Sequence, residues 1–303
     1  RTIQYFIKLL TIMKRRSFLI KSSLISATTV APFTLGASEL FPSYNVPSRK
    51  FGLQLYSVRN DMTKNPKLTL KKLASYGYKY LEGYEGSKGL FWGMSNVDFK
   101  NYLSDLGMKM IASHCGETQD LEGFRKKCDQ AAEIGVEYLI CPSLSPRKEL
   151  DTFKRHAERF NKNGEIAKSS GIKFAYHNHG YTFEKIEGVY PQDILMNGTD
   201  SNLVDYELDI YWMVVVGEDP IEWFNKYPNR FTHCHVKDAL KTNKRSGFES
   251  CTLGKGMIDF KTILSHGKKR GLKHYIVEQE AYQDSTPMQA ARDNVTYMRN
   301  LKV

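Results

Sequence analysis

Residues 167–177 read Ala-Lys-Ser-Ser-Gly-Ile-Lys-Phe-Ala-Tyr-His: the end of an amphipathic helix, a glycine, and a short apolar strand that closes on a polar residue. A glycine just past a helix C-terminus takes the left-handed backbone without a Cβ penalty, so here it punctuates helix from strand. The same unit recurs on both sides. Leu-Ala-Ser-Tyr-Gly77 leads into Tyr-Lys-Tyr-Leu-Glu82, and Leu-Ser-Asp-Leu-Gly107 into Met-Lys-Met-Ile-Ala-Ser-His114. Ala-Ala-Glu-Ile-Gly135 leads into Val-Glu-Tyr-Leu-Ile-Cys141, and Lys-Lys-Arg-Gly271 into Leu-Lys-His-Tyr-Ile-Val-Glu278. Two more strands are expected at 203–208 and 230–235, each after an asparagine (Asn202, Asn229) that can adopt the same left-handed conformation. With an opening strand Phe51-Gly-Leu-Gln-Leu-Tyr-Ser57 the count is eight, at spacings of 27 to 42 residues. Parallel strands alternating with helices at that spacing predict a (β/α)8 TIM barrel, a single domain over residues 51–303. No G-x-G-x-x-G follows any strand, which leaves a doubly wound dinucleotide-binding sheet without support.

The whole chain has 303 residues, of which 41% are hydrophobic and 25% charged, with a mean hydropathy of -0.47. This balance excludes disordered and collagen-like architectures. The five cysteines (Cys115, Cys128, Cys141, Cys234, Cys251) are odd in number and lack C-x-x-C spacing, so five reduced thiols are expected instead of a disulfide framework or zinc ribbon. A net charge of +11 suggests nucleic acid until it is located. Six unopposed basic residues lie in the first 37 positions, which leaves +5 for the rest, spread over predicted helix faces; no nucleic-acid partner is expected.

From Met13 the chain runs Lys-Arg-Arg-Ser-Phe-Leu-Ile-Lys21 and then an apolar, small-residue stretch to Ala37. This resembles a twin-arginine signal peptide over residues 1–37, with Met13 as the expected start, followed by a linker, 38–50. The expected location is periplasmic or otherwise exported, after contact with the twin-arginine translocation machinery. That route carries folded proteins, so a metal can be inserted first.

In a barrel of this kind the C-terminal strand ends share one mouth. The polar residues there are Gln54 and Arg59, Glu82, His114, His177-Asn178-His179, Glu207-Leu208-Asp209, His233 through Asp238, and Glu278-Gln279-Glu280. Residues two apart on a strand share a face. Imidazoles and carboxylates from adjacent strands could together hold one divalent ion such as Mn²⁺, Zn²⁺ or Co²⁺. His233 and Glu207 are read as supporting residues. Gln54, Tyr56, Glu82, Trp92, Tyr211 and Trp212 are candidate sugar contacts, since aromatic faces stack on pyranose C–H groups.

His177-Asn178-His179-Gly180, Leu208-Asp209-Ile210-Tyr211-Trp212, His233-Cys234-His235-Val236-Lys237-Asp238 and Ile276-Val277-Glu278-Gln279 resemble the xylose isomerase-like sugar isomerases and epimerases, in an exported subgroup marked by His-Asn-His. The resemblance implies Asp209, His235 and Glu278 as metal ligands, with His177 standing where the fifth-strand glutamate usually lies. It also implies an isomerase or epimerase that abstracts a proton next to a carbonyl. With histidine in place of one carboxylate, a scheme that uses two metal-bound carboxylates on opposite faces of the sugar loses one of them. The candidate bases are therefore Glu278 itself and the unbound groups His179, His114 and Lys237, with Glu280 a weaker one. The His-Asn-His form also resembles proteins acting on 3-keto glycosides, which makes a 3-keto-glycoside lyase or hydratase the alternative. A metal-dependent hydrolase or endonuclease and a non-catalytic sugar-binding barrel are the readings of other classes.

Overall fold

The structure, a computed structural model, describes residues 51–244 and 247–303. The twin-arginine segment and the linker expected at residues 1–50 lie outside the described residues. Strands β1 (Phe51–Gln54), β2 (Tyr80–Tyr84), β3 (Lys109–His114), β4 (Tyr138–Cys141), β5 (Lys173–His177), β6 (Val204–Asp209), β7 (Phe231–Val236) and, after a small hairpin, β10 (His274–Val277) close into a barrel. Every neighbouring pair is parallel, and β1 bonds both β2 and β10. The helices are α1 (Arg59–Lys64), α2 (Pro66–Tyr76), α3 (Asn96–Asp105), α4 (Leu121–Glu133), α5 (Leu150–Ser169), α6 (Pro191–Gly198), α7 (Ile210–Val215), α8 (Pro220–Lys226), α9 (Phe260–Lys269) and α10 (Pro287–Asn300).

The local signals act as expected at most boundaries. All five glycines of the repeating unit have positive φ, from 65° to 103°, and Asn229 sits at 63°. Asn202 departs from the expectation: it is not left-handed, and its backbone and side-chain amides both donate to Asp200 Oδ1 instead. An Asx turn has replaced the left-handed residue there. β1 ends at Gln54, earlier than expected, because the Gln54 side chain accepts the Tyr56 N–H and bends the chain into a 3-10 turn over Leu55–Val58. The sequence also gave no sign of the antiparallel hairpin β8 (Asp238–Lys241) and β9 (Phe248–Cys251).

Two apolar layers position the mouth. Outward residues of the strands pack on the helices, as where Phe160 of α5 meets Phe174 at 5.4 Å and Tyr176 at 5.2 Å between ring centres. Inside the barrel, Ile111, Ala112, Tyr138, Ile140, Ala175 and Ile276 form a separate plug. In β7 the pairing shifts register, so that Tyr206 opposes Phe231 while the next residue, Glu207, opposes His233. The extra residue, Thr232, lets Phe231 face the helices while His233 turns to the barrel interior, where its ring lies 4.2 Å from Tyr138.

Candidate metal centre and cleft

His177, Asp209, His235 and Glu278 come from β5, β6, β7 and the end of β10, four successive strands around the barrel. Their nearest ligand atoms all lie within 4.8 Å of one another, and all four residues are buried. His235 Nδ1 is 3.1 Å from His177 Nε2, 3.1 Å from Glu278 Oε2 and 3.5 Å from Asp209 Oδ2, and His177 Nε2 is 3.3 Å from Asp209 Oδ2. Bonds of about 2.1 Å to a tetrahedral ion would separate ligand atoms by about 3.4 Å, so the spacing fits.

The outer hydrogen bonds fix which nitrogens carry protons. His177 Nδ1 faces the Pro142 carbonyl at 3.3 Å, which has no proton to give, so Nδ1–H donates. His235 Nε2 faces Glu82 Oε1 at 2.8 Å and Glu207 Oε2 at 3.3 Å and donates likewise. The two inward nitrogens, His177 Nε2 and His235 Nδ1, are set 3.1 Å apart beside two carboxylates. Without an ion, burial is outweighed by the Glu207 and Glu278 carboxylates, which push His235 well above the ordinary imidazole range, so a proton on Nδ1 would join it to His177 and Glu278; a divalent ion would take that proton's place, in the carboxylate–histidine–metal order common to such sites.

His-Asn-His divides its labour. His177 joins the cluster. Asn178 Oδ1 accepts the Asp209 N–H at 3.0 Å and its Nδ2 donates to the Asp209 carbonyl at 3.3 Å. Asp209 in turn caps α7, taking the Trp212 N–H on Oδ1 at 3.0 Å, which leaves Oδ2 for the cluster. His179 lies at the cleft wall with a buried Nδ1 that has no hydrogen-bond partner. Burial and the neighbouring His177 push its pKa down to about 3, so the ring is neutral.

Beneath the cluster, His114 Nε2 contacts Glu207 Oε2 at 3.0 Å and Glu82 Oε1 at 3.1 Å. Burial opposes its charge, but Glu82 and Glu207 outweigh burial and raise its pKa to about 9. The two carboxylates also compete: burial and Glu82 lift Glu207 to about 7. His114 is therefore held as an imidazolium whose ring still reaches the cleft.

The cleft has a volume of about 520 Å³ and is lined by Tyr56, Tyr84, Glu85, His114, Cys115, Gly116, Pro142, Ser143, His177, His179, Trp212, Glu278 and Glu280. His114, His179, Glu278, Tyr56 and Trp212 thus stand where the sequence reading put them. Four candidates do not. Gln54 is fully buried and donates to Glu82 Oε1 and the Gly83 carbonyl; Glu82 is fully buried under His114 and His235. Tyr211 lies under the Lys237 ammonium, 5.2 Å from its ring centre, and Trp92 is buried behind Tyr84. Each supports the site without lining the cleft.

Lys237, a candidate base, lies outside the cleft lining among three carboxylates. Its ammonium meets Glu280 Oε1 at 2.9 Å, Glu278 Oε2 at 3.1 Å and Asp209 Oδ2 at 3.8 Å. Burial alone would favour the neutral amine, but the Glu278, Asp209 and Glu280 carboxylates reverse that and keep the charge above the ordinary lysine range. The sequence reading missed Tyr84, Glu85, Ser143 and the clamp by Asn178. Of these, only Asn178 sat inside a quoted motif.

Asp238, which starts β8, is fully buried and accepts four backbone N–H groups: Ala239 at 2.9 Å, Gly254 at 2.9 Å, Gly256 at 3.0 Å and Ile258 at 3.2 Å. It ties the loop after the hairpin to the rim beside Lys237.

Residues 70–301 match the family model described as a xylose isomerase-like TIM barrel. The inosose dehydratase of Clostridium beijerinckii is 34% identical over 147 residues, 44% of this chain and 48% of that protein. That of Lacticaseibacillus casei is 30% identical over 148 residues, again 44% and 48%. The chain spans about half, or less, of the length of the curated relatives it matches. A solved sugar phosphate isomerase/epimerase from Parabacteroides distasonis is 28% identical, with a TM-score of 0.73 over 86% of this chain and 98% of that one. The IOLI protein with a bound zinc atom shares the fold, at 20% identity and a TM-score of 0.64, over 82% of this chain and 97% of that one.

Proposed function

Because the chain belongs to the xylose isomerase-like TIM barrel family, we propose that it is a metal-dependent enzyme that removes the proton next to the carbonyl of a keto sugar or keto polyol. Loss of the neighbouring hydroxyl as water completes this reading, which makes the protein a lyase; proton return, as in an isomerase or epimerase, is the second outcome of the same first step. The observation that carries it is the convergence of the inward imidazole nitrogens of His177 and His235 with the Asp209 and Glu278 carboxylates beside a polar cleft.

His177, Asp209, His235 and Glu278 would hold the ion. When bound, a divalent ion supplies a Lewis acid that polarises a carbonyl oxygen and lowers the cost of removing the adjacent proton. The protein's own groups supply the proton transfers. His179 lines the cleft as a neutral imidazole, the protonation state a base needs, although the burial and His177 that keep it neutral also make it a weak one until a bound substrate changes its surroundings. His114 carries a proton backed by Glu82 and Glu207, suited to deliver one to a departing hydroxyl. Two imidazoles driven to opposite protonation states give an acid and a base in one cleft. Elimination needs that pair; epimerisation by two opposed carboxylates needs a second carboxylate where His177 stands.

The relatives named inosose dehydratase favour loss of water. The sequence from Met13 to Ala37 supports export as a folded protein as part of this reading. The test is incubation of keto polyols and keto sugars with the metal-supplemented protein in D₂O. Deuterium next to the carbonyl together with an unsaturated or dicarbonyl product supports the lyase. Deuterium without water loss supports the isomerase. Turnover with neither loss of water nor solvent deuterium in the product rejects both.

A further inference from the structure

The cleft has a second wall that the proposed chemistry does not use. Tyr56, 40% exposed, stands edge to face with Tyr84 at 5.2 Å and 81°, and Tyr84 stands the same way against Trp92 at 5.0 Å and 80°. Only Tyr56 and Tyr84 of the three line the cleft. Arg59 covers one side of Tyr56, 4.6 Å from its ring centre, and its Nη1 donates to the Tyr56 carbonyl.

Three features mark this wall as built. Trp92 has φ of 56°, a region that bulky residues rarely enter and that is held where the surroundings impose it. Its indole Nε1 is buried with no acceptor among the described residues, while its ring stands against Tyr84. At Gly86 a Cβ would come within 3.2 Å of Trp92 and 3.3 Å of Tyr84, so this position leaves little room for a side chain beside the two rings. Strained backbone, a ring-to-ring contact and a crowded glycine all serve to back Tyr84.

The charges in the cleft bear on what the wall receives. Its lining holds Glu85, Glu278 and Glu280 and no lysine or arginine, and the nearest buried ammonium, Lys237, is already shared among three carboxylates. A phosphate at this wall would face Glu85 and Glu280, whose lysine partners Lys127 and Lys237 are already taken up by those carboxylates, as the His114 imidazolium is by Glu82 and Glu207; Arg59, laid over the Tyr56 ring, is the cation left at its edge.

We propose that Tyr56 and Tyr84, backed by Trp92, form a second carbohydrate subsite that receives the neighbouring ring of an uncharged glycoside whose keto ring occupies the polar floor. This rests on the reading of the floor as a keto-sugar site. An aromatic face meets the C–H face of a pyranose, whereas a single polyol would be served by the polar floor alone.

Binding without turnover tests it, because unoxidised sugars carry no ketone. Saturation-transfer NMR and titration calorimetry would compare a panel of α- and β-linked glucose disaccharides with the matching methyl glucosides on the metal-loaded full chain. At least one disaccharide should bind about tenfold more tightly than its methyl glucoside, a gain that Tyr56→Ser removes and Tyr56→Phe keeps. Disaccharides no tighter than methyl glucosides, an equal loss for both ligands in Tyr56→Ser with an unchanged melting temperature, or tighter binding of a phosphorylated methyl glucoside would each overturn the subsite. Subsite binding with no deuterium exchange on keto sugars would overturn the chemistry and leave the subsite standing.

Discussion

Asn178 grips the main chain of Asp209 from both sides, accepting its N–H at 3.0 Å and donating to its carbonyl at 3.3 Å. The residue between two cleft histidines thus sets the height of a carboxylate on the next strand. Asn178→Ala should leave the barrel folded and weaken metal binding roughly 10- to 100-fold, the usual cost of losing a group that orients a ligand. Competition with a chromogenic chelator measures it, and unchanged affinity would free Asn178 of that role.

Metal content follows directly from the cluster. The protein purified under mild conditions should hold one divalent ion per chain by elemental analysis, and Glu278→Ala should hold none while its circular dichroism stays that of the parent. Adding ion at a hundred times its dissociation constant should stabilise the native state by about 2.7 kcal/mol. Several tightly held zinc ions would point to the endonuclease class, and no ion at all to a binding barrel.

His114 and His179 should fail at different steps. His179→Gln is expected to lose deuterium exchange next to the carbonyl. His114→Gln should keep exchange and lose elimination. Each loss should be about 10²- to 10⁴-fold, the range for a general acid or base. Identical effects on both steps would show that the two rings do not divide the work.

Asp238 offers a test of stability away from the chemistry. Asp238→Ala strips four backbone N–H groups of their acceptor and should cost roughly 3 kcal/mol or more. Urea denaturation with metal present reads this out.

The thiols predict a pH dependence. All five cysteines are buried and free, and burial pushes Cys128 and Cys251 up to about 12. The unfolded chain then loses thiol protons at lower pH than the native one, so their contribution to stability falls as pH rises above the free-thiol range near 8.5. A thiol-reactive dye at pH 8 should label none of the five in the native protein and all five in denaturant. Rapid native labelling would contradict this burial.

The barrel was legible because its unit is local: a helix, a glycine and a strand leave the same mark each time, and Gly77 through Gly271 adopt the expected backbone. The cluster was legible only in part from geometry: strand alternation sends Asp209 and His235 inward but Glu207 and His233 with them, and it was the family resemblance that singled out the ligand set. What escaped depended on contacts between distant segments. Nothing near Lys237 in sequence announces that Glu280, 43 positions on, holds its charge. Gln54 and Glu82 sit at strand ends like true cleft residues, but they lie below the layer that solvent reaches. Trp92 was legible as an aromatic near the mouth, not as the support for Tyr84.

His235 spends one ring nitrogen on the ion-binding group and the other on Glu82 and Glu207, which in turn hold His114. A single rigid ring therefore links ion preference to acid strength. Retuning either by substitution will drag the other along, so redesign toward new substrates is better begun at the outer tyrosines, where a change need not pass through that hinge.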